Sequence, residues 1–224
     1  MIGTENDFLN IHTHFKPKLS NEFAIRNAYL NVSGEQINNL PYPVSCGLHP
    51  WHIHKMSLNA CGDRLIELAS NPKVLAIGEI GLDKAIDTPL KQQLSYFDAQ
   101  FNVARAYQKP IIIHAVRTYQ DFIPFLKKTK VPFIFHGFNG NVQQAKELLK
   151  YNCKLSFGKN CIEPKIKEVI QYIPNDAFLL ETDSASKLTI SDVYTQVADI
   201  KQMDLDELKS LVFHTFASII KPID

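Results

Sequence analysis

No C-x-x-C pair occurs in this chain. Its four cysteines, Cys46, Cys61, Cys153 and Cys161, are scattered, which excludes a zinc knuckle or a dithiol redox motif and reads as reduced thiols. No uninterrupted apolar run approaches the roughly 18 residues that cross a bilayer. The opening segment, MIGTENDFLNIHTHF, lacks the basic-then-apolar order of a secretory signal. These absences predict a cytoplasmic protein with no membrane partner. An excess of charge of one sign is missing too: 24 Lys+Arg against 23 Asp+Glu leave a net +1. That excludes the whole-molecule basic field of a protein that coats nucleic acid by electrostatics alone, so any such contact has to be local. With no linker, low-complexity stretch or short repeat to divide it, the chain reads as one domain over residues 1–224. A monomer is the expected state.

What is present is an ordinary globular composition, 45% hydrophobic and 21% charged, at a length common for a single α/β barrel. Eight short apolar, β-branched runs alternate with longer segments of helical periodicity. The runs are FLNIH (8–12), FAIRNAYL (23–30), PVSCGL (43–48), VLAIGEI (74–80), PIIIHA (110–115), PFIFHG (132–137), KLSFG (154–158) and FLLETD (178–183). Most are almost wholly apolar, as parallel strands covered on both faces are; Arg26 and Asn27 interrupt the second. Between them, apolar residues recur three and four apart, as in Leu65, Leu68 and Ala69, or Phe97, Phe101, Ala104 and Tyr107. Pro72, Pro110, Pro132 and Pro174 punctuate the joins. The segment from about Ser191 to Ile220 reads as two helices joined around Met203 and Asp204. The pattern predicts an α/β fold, a TIM-type (β/α)₈ barrel.

In such a barrel the position of the ionisable residues becomes informative. His12, Glu79, His114, His136 and Asp183 fall at the C-terminal ends of five different predicted strands, the face where barrel active sites lie. His14 follows His12 by two residues, a spacing that points both imidazoles the same way in an extended chain. A single H-x-H, or one strand-end carboxylate, carries little weight alone. Six ligand-type residues converging on one ring are hard to obtain as packing accidents. Four imidazoles and two carboxylates suit Zn²⁺, Mn²⁺ or Fe²⁺, with a carboxylate between two ions able to bridge them. The expected arrangement is His12, His14 and Asp183 on one ion, His114 and His136 on the other, and Glu79 bridging. Two ions about 3.5–4 Å apart would activate water for in-line attack at phosphorus, so the reaction class is metal-assisted hydrolysis.

These residues resemble the TatD-type metal-dependent deoxyribonucleases of the amidohydrolase superfamily, almost end to end. NIHTHF (10–15) is similar to the family's D-x-H-x-H opening, GLHPWH (47–52) to its G-x-H-P-H loop, and AIGEIGLD (76–83) to its A-I-G-E-x-G-L-D block. PIIIHA (110–115), FIFHGFNGN (133–141) and LLETDS (179–184) follow in family order. The resemblance implies metal ligation by His12, His14, Glu79, His114, His136 and Asp183. It implies two divalent ions, Mg²⁺, Mn²⁺ or Zn²⁺, and a role for Asp183 as general base. His49 and His52 are implied to lie near the scissile phosphate, where imidazoles donate hydrogen bonds, and Arg117 to hold phosphate oxygens. The implied activity is exonucleolytic cleavage of single-stranded DNA. The alternative that keeps the metals is hydrolysis of a small ester or amide.

The chain departs from the family pattern in places that bear on substrate fit. Asn10 replaces the usual Asp, HAVRTYQD replaces H-S-R-D-A so that Arg117 is displaced by one position, Lys84 replaces the aromatic after G-L-D, and His214 occupies a late Asn position. The P-Y-L that often follows T-D-S is missing. Trp51 and Phe138 stand near the predicted mouth, where aromatic faces can stack on a splayed base.

Overall fold

The computed structural model describes residues 3–220, so the predicted span of 1–224 extends outside the described residues at both ends. Eight strands form one sheet in sequential order: β1 (Phe8–Thr13), β2 (Glu22–Tyr29), β3 (Val44–Gly47), β4 (Val74–Asp83), β5 (Ile111–Val116), β6 (Phe133–Phe135), β7 (Cys153–Phe157) and β8 (Phe178–Leu180). All neighbouring pairs from β1 to β8 are parallel. The helices between and after them are α1 (Gly34–Asn38), α2 (Leu58–Ala69), α3 (Leu90–Ala106), α4 (Ile123–Leu126), α5 (Val142–Leu148), α6 (Pro164–Tyr172), α7 (Ile190–Lys201) and α8 (Leu205–Ile219). This is the predicted TIM-type barrel, and each predicted strand coincides with an observed one.

The amphipathic faces read from the sequence do the packing. Leu65, Leu68 and Ala69 of α2 are buried, as are Phe97, Phe101 and Ala104 of α3. The α3 rings meet Phe133 of β6 at centroid separations of 6.4 and 5.9 Å, so a helix face and a strand share one aromatic cluster. Tyr107, counted on that face, instead follows the helix at its C-cap and is partly exposed. Asn141 and Thr189 cap α5 and α7 with reciprocal capping boxes. They fix the ends of the two loops that leave β6 and β8. All four cysteines are buried and unpaired, and burial pushes each thiol up, to about 12 for Cys46, Cys61 and Cys153 and about 11 for Cys161.

Two strands end three residues away from where the sequence reading ends them, and both shape the site. β4 runs on past Ile80 to Asp83 because Gly78 and Gly81 let it lie against β5: a Cβ on Gly81 would sit 1.9 Å from the His114 carbonyl oxygen, and one on Gly78 2.7 Å from Ile112. The ladder shifts register between Ile77 and Ile80, a bulge that re-aims the Glu79 carboxylate. β8, by contrast, ends at Leu180, and Asp183 lies beyond it in the left-handed region with φ 48°. That conformation is one Asp tolerates better than most residues. It is held by main-chain bonds to the first strand, Asp183 N–H to His12 O at 3.0 Å and His14 N–H to Asp183 O at 3.1 Å.

These bonds are part of how the barrel closes. Main-chain pairing between β8 and β1 reduces to a single Thr13–Asp183 bridge. Side chains complete it: the buried Asn10 amide accepts from Thr182 N–H at 3.1 Å and donates to Thr182 Oγ1 at 2.9 Å and Glu22 Oε1 at 2.8 Å. The Tyr194 hydroxyl of α7 accepts from Leu9 N–H at 3.0 Å and donates to Leu9 O at 3.2 Å. Buried main-chain groups that lack a strand partner are thereby satisfied. The two polar residues that interrupt β2 are likewise employed, Arg26 on the Tyr42 hydroxyl at 2.8 Å and Asn27 as acceptor for Glu79 N–H at 3.0 Å.

Candidate metal centre

The six residues predicted to form a ring converge at the C-terminal mouth of the barrel. Glu79 is at their middle and offers its two oxygens to different neighbours. Oε1 faces His136 Nε2 at 2.8 Å, His114 Nδ1 at 2.9 Å and His49 Nε2 at 3.1 Å. Oε2 faces His12 Nε2 at 3.5 Å and His14 Nε2 at 3.6 Å. The same two nitrogens lie 3.7 and 3.5 Å from Asp183 Oδ1.

The chemistry of this donor set fits divalent cations. His12 is fully buried, and neither of its ring nitrogens has a hydrogen-bond partner among the described residues, an arrangement that costs free energy unless a further ligand completes it. Three overlapping triads have donor atoms within 4.8 Å of one another: His12, His136 and Asp183; His12, His14 and Glu79; and His49, Glu79 and His114. Titration behaviour carries the same sign. Burial opposes ionisation of Glu79, but the imidazoles of His136, His114 and His12 outweigh it and hold the carboxyl well below its usual range. Asp183 is depressed in the same way, burial being overcome by His14, His12 and His136. The hydrogen bonds of Asp183 and Glu79 raise His14 to about 9, and His136 is held well above the ordinary range because Glu79 and Glu181 outweigh its burial. A pocket that retains protons this strongly is one that seeks positive charge.

Hydrogen bonding on the far side of each ring orients it toward Glu79. Asp83 stays ionised: burial opposes this, but the bonds from Trp51, the Ala85 N–H and His114 prevail. His114 Nε2 lies 3.1 Å from Asp83 Oδ2 while Nδ1 faces Glu79 Oε1 at 2.9 Å, so one carboxylate orients the ring toward the other. His136 presents Nδ1 to Glu181 Oε1 at 3.3 Å, an oxygen that also accepts Gly137 N–H at 2.9 Å. Both are carboxylate–imidazole pairs of the kind that orient metal-binding histidines. His49 is set up the opposite way. Its Nδ1 accepts from Trp51 N–H at 3.1 Å, so in the neutral ring the proton sits on Nε2 and points at Glu79. His49 is a donor at the mouth, with burial lowering its pKa.

The remaining predicted residues lie around this cluster. His52 does not join it. Its ring is 6.0 Å from that of His49, on the wall of a cavity of about 220 Å³ that opens over Glu79. Arg117 lines a separate cavity of about 450 Å³ together with Lys159, whose Nζ lies 3.9 Å from Asp183 Oδ2. Phe138, expected near the mouth, is buried and packs on Tyr119 and Phe157. His214 is away on α8, 3.5 Å from Glu5. Sequence reasoning missed Asp83, Glu181, Asn27 and Lys159. For the first two the signal was there, as carboxylates four residues after Glu79 and two before Asp183.

Comparison with known proteins gives one family. The model of the TatD related DNases matches residues 30–221, a span that starts after His12 and His14. An uncharacterized metal-dependent hydrolase of Bacillus subtilis, YabD, is 36% identical over 65% of this chain and 64% of its own length. The 3'-5' ssDNA/RNA exonuclease TatD of Edwardsiella piscicida is 31% identical over 64% of this chain and 59% of its own. The matched part thus spans less than two thirds of these relatives. Among solved structures, the TatD homologue YjjV of Escherichia coli superposes with a TM-score of 0.86 at 24% identity, covering 97% of this chain and 99% of that one. Among the described residues no helix is long and apolar enough to cross a membrane.

Proposed function

The chain belongs to the TatD related DNase family, and from that premise we propose that it is a divalent-metal-dependent phosphodiesterase that shortens single-stranded DNA from an end. The observation that carries the reading is the placement of Glu79, whose two oxygens face two separate groups of imidazoles. His12, His14 and Asp183 would hold one ion, His114 and His136 the other, with Glu79 shared, and Mg²⁺, Mn²⁺ or Zn²⁺ suits such donors. When bound, such ions supply an acidified water and charge stabilisation on the phosphate oxygens.

The chain's own groups then have distinct work. Asp183, kept ionised beside His14 and His12, accepts a proton at Oδ1 or Oδ2. Asp83 and Glu181 keep the rings of His114 and His136 turned toward Glu79. His49 offers Nε2–H to a phosphate oxygen, a bond that gains strength as charge accumulates there. Arg117 and Lys159 supply cations to the strand's backbone along the larger cavity. A near-neutral molecule with local cations at its mouth agrees with a substrate gripped at its end.

The test is metal content of the purified protein together with hydrolysis of 3′-labelled and 5′-labelled single-stranded DNA, comparing wild type with Glu79→Ala. Stepwise shortening by wild type, lost with the metal in Glu79→Ala, is the expected result, and the label that survives gives the polarity. Bound metal with cleavage of lactones or amides but not of DNA would assign the site to the ester or amide alternative.

A further inference from the structure

We propose that Trp51 and Tyr29 form a slot that takes the terminal nucleobase of the strand, an inference that rests on the nuclease reading above. The cavity of about 220 Å³ has Glu79 and Asp183 on its floor and Tyr29, His49, Trp51 and His52 around its wall. Its two aromatic rims are the most open rings near the site, Trp51 being 53% and Tyr29 49% exposed. Neither ring is buried as an anchor of its own segment. In the 3₁₀ turn Pro50–Lys55 the buried anchors are Pro50 and Ile53, and β2 is fixed through Ala24 and Ile25.

Trp51 is open yet rigid. Its indole N–H donates to Asp83 Oδ2 at 2.7 Å, the same oxygen that receives His114. Its ring stands nearly perpendicular to those of His49 and His114, at 5.0 and 5.9 Å. An aromatic face held in place before its partner arrives loses little entropy on binding. Such a face accepts any base, because every base has a π-surface. Tyr29 lines the same cavity beside His52, the two rings 6.1 Å apart.

The other side of the centre has a different character. The cavity of about 450 Å³ shares His114, His136 and Asp183 with the smaller one but carries Arg117 and Lys159. Aromatic surface on one flank and cations on the other match a strand whose last base is stacked and whose continuing phosphates run over the cations. The reacting phosphodiester then lies between them, above Glu79.

Trp51 is the only tryptophan in the chain, so its emission reports this slot directly. Metal-loaded protein is titrated with a fluorescently labelled single-stranded oligonucleotide made non-hydrolysable by phosphorothioate linkages, and with versions abasic at the 3′ or the 5′ end. Binding is followed by the label's anisotropy and stacking by tryptophan emission. The expected result is quenching by the intact strand, lost when one particular end is abasic. Trp51→Leu and Trp51→Phe both remove the indole N–H bond to Asp83, so the two are compared at saturating metal: Trp51→Leu is expected to have a KM about tenfold above that of Trp51→Phe, the scale of one base–aromatic stack, with a smaller difference in kcat. Binding and cleavage with unchanged tryptophan emission, or the same KM in the two variants, would overturn the slot and leave the nuclease reading intact. Absence of both binding and cleavage in metal-loaded protein would overturn both.

Discussion

Between β4 and β5 the main chains run so close that only glycine fits at position 81, and the ladder itself sets Glu79 and His114. Between β8 and β1 the ladder has dwindled to one bridge, and Asn10, Thr182 and Tyr194 tie the strands by their side chains. The two seams present complementary halves of one cluster, Glu79 with His114 on one and His12, His14 with Asp183 on the other. The first half is positioned by backbone spacing, which tolerates no added atom. The second is positioned by one main-chain bridge and otherwise by side-chain hydrogen bonds, which can be removed one at a time.

The contrast can be broken most severely at the first seam. Gly81→Ala puts a methyl group onto the His114 carbonyl, which cannot move without parting the strands. A loss of about 3 kcal/mol or more is expected in chemical denaturation, with loss of metal binding. At the second seam, Asn10→Ala leaves Thr182 N–H and Glu22 without a buried partner. It is expected to cost about 2 kcal/mol while the protein still folds and keeps the Glu79–His114 half able to bind metal. Equal damage from the two substitutions would remove the distinction. Asp83→Asn and Glu181→Gln sharpen it at single ligands, because each touches one histidine. Either is expected to weaken metal affinity by about 10–100-fold, measured by titration against a chelator, with little change in thermal stability. The smallest effect belongs to Tyr194→Phe, which removes one hydroxyl from Leu9 and is expected to lower stability by about 1 kcal/mol.

Much of this was legible in the sequence because it depends on local pattern. Strands buried on both faces read as apolar runs, and helices packed on one face read at three- and four-residue spacing. All eight strands and the paired C-terminal helices followed from that. The six residues of the central cluster were legible for a related reason: the barrel converts position in a strand into position around a ring. What sequence could not provide is partnership across elements. That Asp83 holds both His114 and Trp51 depends on where β4 stops, and β4 stops three residues later than its apolar run suggests, because Gly81 allows the continued pairing. That His49 turns Nε2–H toward Glu79 depends on one backbone N–H, from Trp51, which occupies its Nδ1. The polar pair Arg26 and Asn27 looked like an interruption of β2, and only the neighbouring Tyr42 and Glu79 show it to be a connection.

The Asn10 amide also carries a consequence for descent. It donates to Glu22 Oε1 while accepting from Thr182 N–H, two tasks that need both a nitrogen and an oxygen on one side chain. An Asp at this position, the residue the resembling motif carries, would meet Glu22 carboxylate to carboxylate. Glu22 is itself committed through its second oxygen to Lys18 N–H at 2.8 Å. The two positions are therefore coupled through this bond. A lineage moving from one pairing to the other has to pass through a poorly closed barrel, or change both residues together. Asn10→Asp placed in a Glu22→Gln background should be better tolerated than Asn10→Asp alone.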